Sequence, residues 1–379
     1  MEPVYNLILI VIGSFLGVTI SLFLLTVKSI KSKANLFLGV YIFFITINLL
    51  QGFFFRFDWL EMMPHIVHLD FLYKSSAGAL IYLYIRACTE KDFKMKPILW
   101  LHFIPLVLSC FYMFPWLMTS GEEKVAFYLK YIFELELGVA PWFLLSQATI
   151  VCVYLVFSFR LIQQYKKHLS NEASSIDHTY HRWLLFFALS TILPIVAMIS
   201  WAVIGGNSLT IVLILTLIFL FILSVHLAIM LKPEIFHTFP NRIQVQEEEE
   251  EAKKKYESST LQDSKKKEFI KKLVTYMETE KPYKEADLTL SILAERVNIP
   301  SHYLSQVINE KMKVPFLDFV NGYRVEEAKK MLRDENYENY TIIAVAYEAG
   351  FNSKTAFYSA FKKYAGMTPS AFRKGLQVV

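Results

Sequence analysis

The sequence predicts an all-α protein in two parts, a bundle of seven apolar helices that spans a membrane and a water-soluble helical domain. Hydrophobic residues make up 54% of the 379 positions and the mean hydropathy is +0.37, which is high for a soluble chain. Residues 1–240 carry 29 charged side chains (12%), whereas residues 241–379 carry 44 (32%). The three cysteines lie in apolar stretches. This composition excludes a wholly disordered chain, a collagen and a secreted disulfide scaffold.

The first part, residues 1–236, contains seven apolar runs, each long enough to cross a hydrocarbon layer of about 30 Å with about 20 residues. The first run lacks a basic segment before it and is too long for a signal peptide, so we expect it to remain a span. Asp70 and Lys74 interrupt the third run. The runs lie at residues 4–27, 34–55, 66–88, 97–118, 137–159, 183–204 and 208–231.

The short loops between these runs differ in charge. One alternate set holds eleven Lys and Arg residues, and the other set holds only Arg56, Lys124 and Lys130. Because basic loops stay in the cytoplasm, the N-terminus is predicted outside and everything after Leu231 inside. The eleven basic residues are Lys28, Lys31, Lys33, Arg86, Lys91, Lys94, Lys96, Arg160, Lys166, Lys167 and Arg182.

Polar residues inside the third run are candidates for a functional site, since such groups are costly in lipid. Asp70 and Lys74 are one helical turn apart and can pair. Two interpretations stay open, a patch that lines a signal pocket and a self-neutralised pair that faces other helices. His65, His68 and Asp70 do not converge on a helix, so no metal site is predicted. In other runs, Asn48, Gln51, Gln147 and His226 are expected to make interhelical hydrogen bonds.

Residues 237–263 form a charged linker between the two parts. Glu247 to Glu251 are followed by Lys253 to Lys255, which gives i,i+4 pairs in the favourable order. A short solvated helix is predicted, and a frayed charged tether is the alternative. Heptads of apolar residues are missing, so the linker is not predicted to be a coiled coil.

The second part, residues 264–379, is predicted to be wholly helical. Ser301 and Thr368 are predicted N-caps, with Pro369 in the first helical position, and Gly366 suits a left-handed C-cap. After a first amphipathic helix with its apolar face at 269–277, helices are predicted near 289–297, Ser301–Lys311, Phe316–Arg333, 341–348, Ser353–Tyr364 and 369–374.

An internal repeat occurs within these helices. Leu293-Ala294-x-x-Val297-Asn298 precedes Leu304 and Ile308, and Val345-Ala346-x-x-Ala349-Gly350 precedes Phe357 and Phe361. In each copy a small alanine lets two helices cross closely, and Asn or Gly then tolerates a positive φ in a tight turn. The apolar pair four residues apart seats the second helix. This pattern predicts two helix-turn-helix units, whose second helices enter the major groove of DNA.

With these residues, 264–379 resembles the DNA-binding domain of the AraC/XylS family of transcription regulators. The resemblance implies two helix-turn-helix units on one rigid connecting helix, reading successive major grooves. The whole chain resembles, more loosely, seven-span bacterial membrane-bound regulators of the Bacteroidetes type, which implies the inner membrane. The chain has Lys313 where the family usually has Gly, Ile308 for a Phe, and Tyr358-Ser359 where an Arg is frequent. The resemblance is carried by Leu293-Ala294-Glu295, Ser301, Tyr303-Leu304-Ser305, Phe316, Arg324, Ala328, Leu332, Gly350-Phe351, Phe357, Phe361-Lys362-Lys363, Gly366, Thr368-Pro369 and Phe372-Arg373.

Residues that face outward near the start of the second helix of each unit are the predicted DNA contacts. Gln306 and Asn309 can bind adenine, Lys354 can reach guanine, and solvated surface side chains are the alternative for each. Residues 263–379 carry a net charge of only +4 (19 basic, 15 acidic), so two copies on adjacent sites, as in a homodimer, are expected. The predicted contacts are Ser301, His302, Gln306 and Asn309 in the first unit and Ser353, Lys354, Thr355, Tyr358, Ser359 and Lys362 in the second. Lys362, Lys363, Arg373 and Lys374 are expected to hold phosphates.

The sequence therefore predicts a membrane-anchored transcription regulator. Its bundle would sense a small-molecule or protein signal, and its cytoplasmic domain would bind double-stranded promoter DNA. No catalytic residues and no cofactor are predicted. Two alternatives stay open: a transporter or intramembrane enzyme with a regulatory DNA-binding head, and a passive lipid-embedded tether for that head.

Overall fold

The computed structural model describes residues 2–56, 61–66, 69–90, 93–126, 141–174, 178–192, 196, 208–236 and 263–376. Most of these residues are helical and none lies in a strand, although one isolated antiparallel bridge joins Ala173 to Thr289. The chain divides into two compact units. An N-terminal unit comprises residues 1–163 and 179–244, and a C-terminal unit comprises residues 164–178 and 245–379. The sequence, by contrast, predicts residues 164–178 to belong with the bundle.

The N-terminal unit consists of apolar helices. Five helical stretches of the described chain are long and apolar enough to cross a membrane, at Leu7–Thr26, Lys33–Leu50, Pro97–Met118, Leu145–Glu172 and Leu213–Leu231. The third run forms a helix that is not among these five, and most of residues 193–204 and the linker at 237–262 lie outside the described residues. Seven spans therefore stay a prediction. The helices are α1 (Glu2–Thr26), α2 (Lys33–Arg56), α3 (Asp70–Thr89), α4 (Ile104–Met118, after a 3-10 helix at Pro97–Phe103), α5 (Pro141–Glu172), α6 (His178–Ser190) and α7 (Ser208–Leu231).

Close helix packing and an apolar exterior characterise this unit. Helix α1 packs against α2 and α7, and Gly17 lies so close to Thr46 of α2 that a Cβ at Gly17 would overlap the threonine side chain. Small residues permit such approaches between membrane helices. Large apolar side chains such as Phe15 (69% exposed) and Phe111 (74% exposed) point outward. Exposed apolar surface on this scale marks contact with lipid or with another protein.

A buried polar cluster connects three helices of the unit. Ser75 Oγ on α3 donates to Ser109 Oγ on α4 over 2.7 Å, and Gln147 Nε2 on α5 donates to the same oxygen over 3.1 Å. The predicted interhelical hydrogen bond of Gln147 is confirmed. Lys74 is half-buried, whereas the Asp70 side chain and His68 lie outside the described residues, so the predicted Asp70–Lys74 pocket stays a prediction.

The C-terminal unit contains the predicted soluble helices. Apart from the first, for which only an apolar face was predicted, each lies within two residues of its predicted ends. In particular, both predicted ends of the helix Phe316–Arg333 are confirmed, and so is the predicted last residue, Lys311, of the helix before it. The helices are α8 (Asp263–Thr279), α9 (Leu290–Arg296), α10 (Ser301–Lys311), α11 (Phe316–Arg333), α12 (Ile342–Glu348), α13 (Lys354–Ala365) and α14 (Pro369–Leu376).

Two hydrophobic cores stabilise this unit, one for each copy of the repeat. Leu304 and Ile308 anchor α10 in the first core, and Phe357 and Phe361 anchor α13 in the second. All four side chains are fully buried, and each contributes about 1.5–3 kcal/mol by leaving water. Helix α11 supplies side chains to both cores. It gives Phe316, Phe319 and Val320 to the first, and Val325, Ala328, Met331 and Leu332 to the second.

Candidate nucleic-acid interface

The turns of the two repeat copies have the same backbone geometry. After α9, the Ile299 N–H donates to the Ala294 carbonyl, and after α12 the Phe351 N–H donates to the Ala346 carbonyl, both over 3.0 Å. The residue before each donor has a positive φ, +50° at Asn298 and +95° at Gly350. This is the Schellman pattern of a helix C-terminus. Both copies are therefore helix-turn-helix units, with α10 and α13 as their second, recognition helices.

Threonine and serine hydroxyls cap most of the helices in these units. Thr289 Oγ1 accepts from the Ile292 N–H (3.2 Å) at the start of α9, and Thr341 Oγ1 does the same for α12. Ser353 caps α13, and the predicted N-cap Thr368 is confirmed by its bond from the Ala371 N–H (3.2 Å). The cap predicted at Ser301 is wrong. Pro300 occupies the N-cap position of α10 and has no side-chain acceptor, so the helix begins at Ser301.

Within the C-terminal unit, a buried arginine on α11 contacts segments of both helix-turn-helix units. Arg324 is 1% exposed, and its guanidinium donates to the carbonyl oxygens of Tyr283 (2.7 Å), Glu285 (2.8 Å) and Ser174 (2.8 Å) and to the Ser174 hydroxyl (3.0 Å). Its Cζ also lies 5.7 Å from the ring centre of Phe351, in the second unit. Burial lowers the pKa of Arg324 to about 10, so it remains charged at neutral pH. The sequence marked this residue only as part of the family resemblance.

A carboxylate one turn further along α11 binds the same segment. Glu327 accepts from the Tyr283 hydroxyl (3.2 Å) and forms ion pairs with Lys284 (2.8 Å) and Lys281 (3.3 Å). Burial alone would raise the pKa of Glu327, but the two lysines outweigh it and lower that pKa. The carboxylate therefore stabilises the unit above its usual pKa, and this contribution is lost as the pH falls through the lowered value. Residues 281–285, which we term the clamp segment, are thus fastened to α11.

The first recognition helix presents polar side chains on its outer face. Gln306 Nε2 donates to Glu310 (2.9 Å), and Asn309 Nδ2 donates to the Ser305 hydroxyl (3.3 Å). His302 is exposed, and partial burial of its ring lowers its pKa, which favours a neutral imidazole that can donate or accept. Ser301 is half-buried. These amides and this imidazole can form hydrogen bonds with base edges if the bonds within the helix exchange.

The second recognition helix presents a cation beside an aromatic ring. Lys354 Nζ lies 5.6 Å from the ring centre of Tyr358. Thr355, Ser359 and Lys362 are exposed on the same helix. The Ser353 hydroxyl is the N-cap of α13, because it accepts a hydrogen bond from the Ala356 N–H over 3.2 Å.

Two of the four predicted phosphate contacts have partners within the unit. Lys363 Nζ forms an ion pair with Asp318 of α11 (2.7 Å), and Arg373 donates to the Tyr340 carbonyl (2.6 Å). Lys362 and Lys374 are exposed. Lys363 and Arg373 therefore connect elements of the second unit, and their predicted contact with phosphate would require these internal bonds to rearrange.

Among the described residues, no cluster of His, Cys, Asp or Glu is placed to hold a metal ion.

The turn between α10 and α11 keeps its left-handed residue although the family glycine is absent. Lys313 has φ +56°, a conformation that costs a side-chain-bearing residue about 1 kcal/mol. We expect Lys313→Gly to stabilise the first unit by about 0.5–1 kcal/mol, measured by hydrogen exchange of α10 amides in the full chain. Lys311→Gly, at the last residue of α10, removes the same charge and should not stabilise the unit, because glycine is less favourable than lysine in a helix. If the two substitutions changed the stability of the first unit equally, the backbone at Lys313 would not be strained.

Comparisons with known proteins find relatives of this C-terminal region. Residues 293–375 match a family described as a helix-turn-helix domain. The melibiose operon regulatory protein of Escherichia coli (strain K12) is 31% identical over 87 residues, 23% of this chain and 28% of that protein. An uncharacterized HTH-type transcriptional regulator of Staphylococcus aureus (strain MSSA476) is 37% identical over 87 residues, 23% of this chain and 11% of that protein. A protein of unknown function from Listeria innocua is 30% identical, with a TM-score of 0.25, over 28% of this chain and 94% of that one.

The chain spans about 28% or less of the length of these curated relatives. They support the AraC-type assignment of the C-terminal helix-turn-helix domain and a role in DNA-binding transcription regulation.

Proposed function

We propose that this protein is a membrane-anchored, sequence-specific regulator of transcription, whose apolar helices receive a signal and whose C-terminal unit binds promoter DNA. The observation that carries the DNA-binding role is the pair of helix-turn-helix units with matching turns, held on one continuous helix by buried Arg324. Helix α11 has 18 residues, about 27 Å at 1.5 Å per residue. This length suits two units that read neighbouring major grooves about 34 Å apart.

Base reading would come from the outward side chains of the two recognition helices. In this proposal Gln306 and Asn309 bind adenine edges, and Lys354 binds guanine. Lys362 and the other predicted cations hold phosphates, which fixes the register of the protein on the duplex. With a net charge of only +4, the unit would bind as two copies on adjacent half-sites.

The membrane role rests on different observations. Five apolar helices have the length of a span, their outer faces are apolar, and basic residues are concentrated in alternate loops. The proposal places the chain in the bacterial inner membrane, embedded in lipid, with its N-terminus outside and its C-terminal unit in the cytoplasm. The signal, a small molecule or a protein, would act on the bundle, with Asp70 and Lys74 as a candidate pocket.

The experiment that tests this function uses the full chain in lipid nanodiscs. Bound sequences are selected from random DNA duplexes and then mapped by footprinting. We expect Gln306→Ala and Lys354→Ala each to cost about 1–3 kcal/mol for the selected site and to relax base preference at different positions. Lys271→Ala, an exposed cation on α8, removes the same charge as Lys354→Ala and should leave base preference unchanged.

Two results would contradict the proposal. One is a failure to select any preferred sequence with the wild-type chain. The other is a reporter fused after Val379 that is active only in the periplasm, because the C-terminal unit could then never meet the chromosome.

A further inference from the structure

The connection between α5 and α6 contributes to the DNA-binding unit. Ala173 and Ser174, which follow the last residue of α5, form a short segment that we term the strap. The Ser174 N–H donates to the Leu288 carbonyl over 3.1 Å, and Ala173 forms an antiparallel bridge with Thr289. Thr289 is the N-cap of α9, so the strap binds the chain where the first helix-turn-helix unit begins.

The strap also supplies half of the hydrogen bonds that hold the buried arginine. Of the four oxygens that accept from Arg324, two belong to Ser174, and the other two belong to the clamp segment. Ser174 and Arg324 are each 1% exposed. Because a buried guanidinium requires acceptors for its N–H groups, the strap is part of the support of Arg324.

The position of the strap indicates what it does. Its contacts, with Leu288, Thr289 and Arg324, involve none of the predicted base-reading positions of α10 or α13. Among the described residues, the hydrogen bonds and the bridge of the docked strap therefore leave the base-reading positions free of the strap. It links the start of the first unit to the helix that carries both units.

We propose that the docked strap is a positive regulatory contact. It holds the first helix-turn-helix unit in its DNA-binding orientation, and a signal that moves α5 or α6 acts by releasing Ala173 and Ser174 from Arg324. This inference rests on the proposed function. Independent support comes from the charge count of the loops, which assigns Lys166 and Lys167 of this connection to the same side of the membrane as the C-terminal unit.

The first test is cross-linking of the full chain in nanodiscs, with the three native cysteines replaced. Ala173 and Thr289 form a pair that is not directly hydrogen-bonded, and the Cα atoms of such a pair lie about 4.5 Å apart in an antiparallel ladder. This spacing suits a disulfide. Ala173→Cys with Thr289→Cys should therefore cross-link under mild oxidation. Ala173→Cys with Thr341→Cys, at the matching cap of the second unit, should not. Failure of the first pair to cross-link would overturn the proposal.

The second test measures DNA affinity. Both Ser174→Leu and Ser174→Ala remove the hydroxyl that accepts from Arg324. Ser174→Leu should weaken binding to the selected site about tenfold, and Ser174→Ala about fivefold. The alanine variant keeps the test valid if the leucine variant folds poorly. Ser170→Leu, one turn earlier on α5, should leave binding within about twofold. The variant that carries the oxidised cross-link between positions 173 and 289 should retain wild-type affinity.

The outcomes separate the two levels of the inference. Wild-type affinity, or tighter binding, in both Ser174 variants would overturn the regulatory contact while the DNA-binding function stands. A wild-type chain that binds no sequence would overturn the proposed function and the regulatory contact together, whatever the cross-linking shows.

Discussion

Replacing Gly350 by alanine should destabilise the C-terminal unit by at least about 3 kcal/mol and abolish DNA binding. Gly350 has φ +95°, a conformation that strains any residue with a side chain by about 1–2 kcal/mol. A Cβ at this position would also overlap the Tyr283 carbonyl oxygen and lie 2.8 Å from Lys284 Cα. Both are backbone atoms of the clamp segment, which Arg324 and Glu327 fix, so the clash cannot be relieved by a side-chain rotation.

Two other glycines provide matched controls for this prediction. Gly366 has φ +73° and open space within 4 Å of the point that an alanine Cβ would occupy, so Gly366→Ala should cost only about 1 kcal/mol. Gly322 lies inside α11 with open space around it, and Gly322→Ala should be neutral or stabilising by up to about 1 kcal/mol. Hydrogen exchange of the α13 amides in the full chain measures all three. Equal costs for Gly350→Ala and Gly366→Ala would show that contact with the clamp segment is unimportant.

The second large effect is expected for Arg324→Met, which should cost about 3–5 kcal/mol. Methionine fills much of the volume but leaves the carbonyl oxygens of Tyr283, Glu285 and Ser174 without their charged donor. Hydrogen bonds to charged groups contribute about 1.5–3 kcal/mol, and orphaned buried acceptors add a desolvation penalty. Since Arg324 joins the clamp segment to α11, both recognition helices should lose protection from hydrogen exchange.

Arg296→Met is the matched control for this change. Arg296 forms an exposed ion pair with Glu285 at 2.6 Å, and such pairs are worth less than about 1 kcal/mol. Arg324→Lys keeps the charge but lacks the planar fork that reaches several oxygens, so its cost should lie between those of the two methionine variants. If Arg324→Met destabilised the protein no more than Arg296→Met does, the buried network around Arg324 would not be what holds the two helix-turn-helix units together.

The sequence was sufficient for the features that depend on neighbouring residues. Helix ends at Lys311 and Arg333, the left-handed positions at Asn298 and Gly366, and the cap at Thr368 follow from local backbone preferences. The two cores were also predictable, because the apolar anchors recur at the same spacing in both copies of the repeat.

Features that depend on distant residues were not predictable in this way. The partners of Arg324 are 41 residues away at Tyr283 and 150 residues away at Ser174, and no periodic pattern encodes such pairings. Lys363 and Arg373 resembled phosphate contacts because their partners, Asp318 and Tyr340, come from other parts of the unit. Pro300 displaced the cap predicted at Ser301 because both residues suit a helix start, and one position separates them.

The discontinuous make-up of the C-terminal unit has a consequence for inheritance. Recombination within the linker codons would pass residues 263–379 to another anchor but leave residues 164–178 behind. Such a hybrid would inherit Arg324 without Ser174, and two N–H groups of its guanidinium would have to find water instead. Lineages that exchange this domain are therefore expected to lose the arginine's second pair of acceptors, or to re-evolve a serine in the corresponding loop of the new anchor.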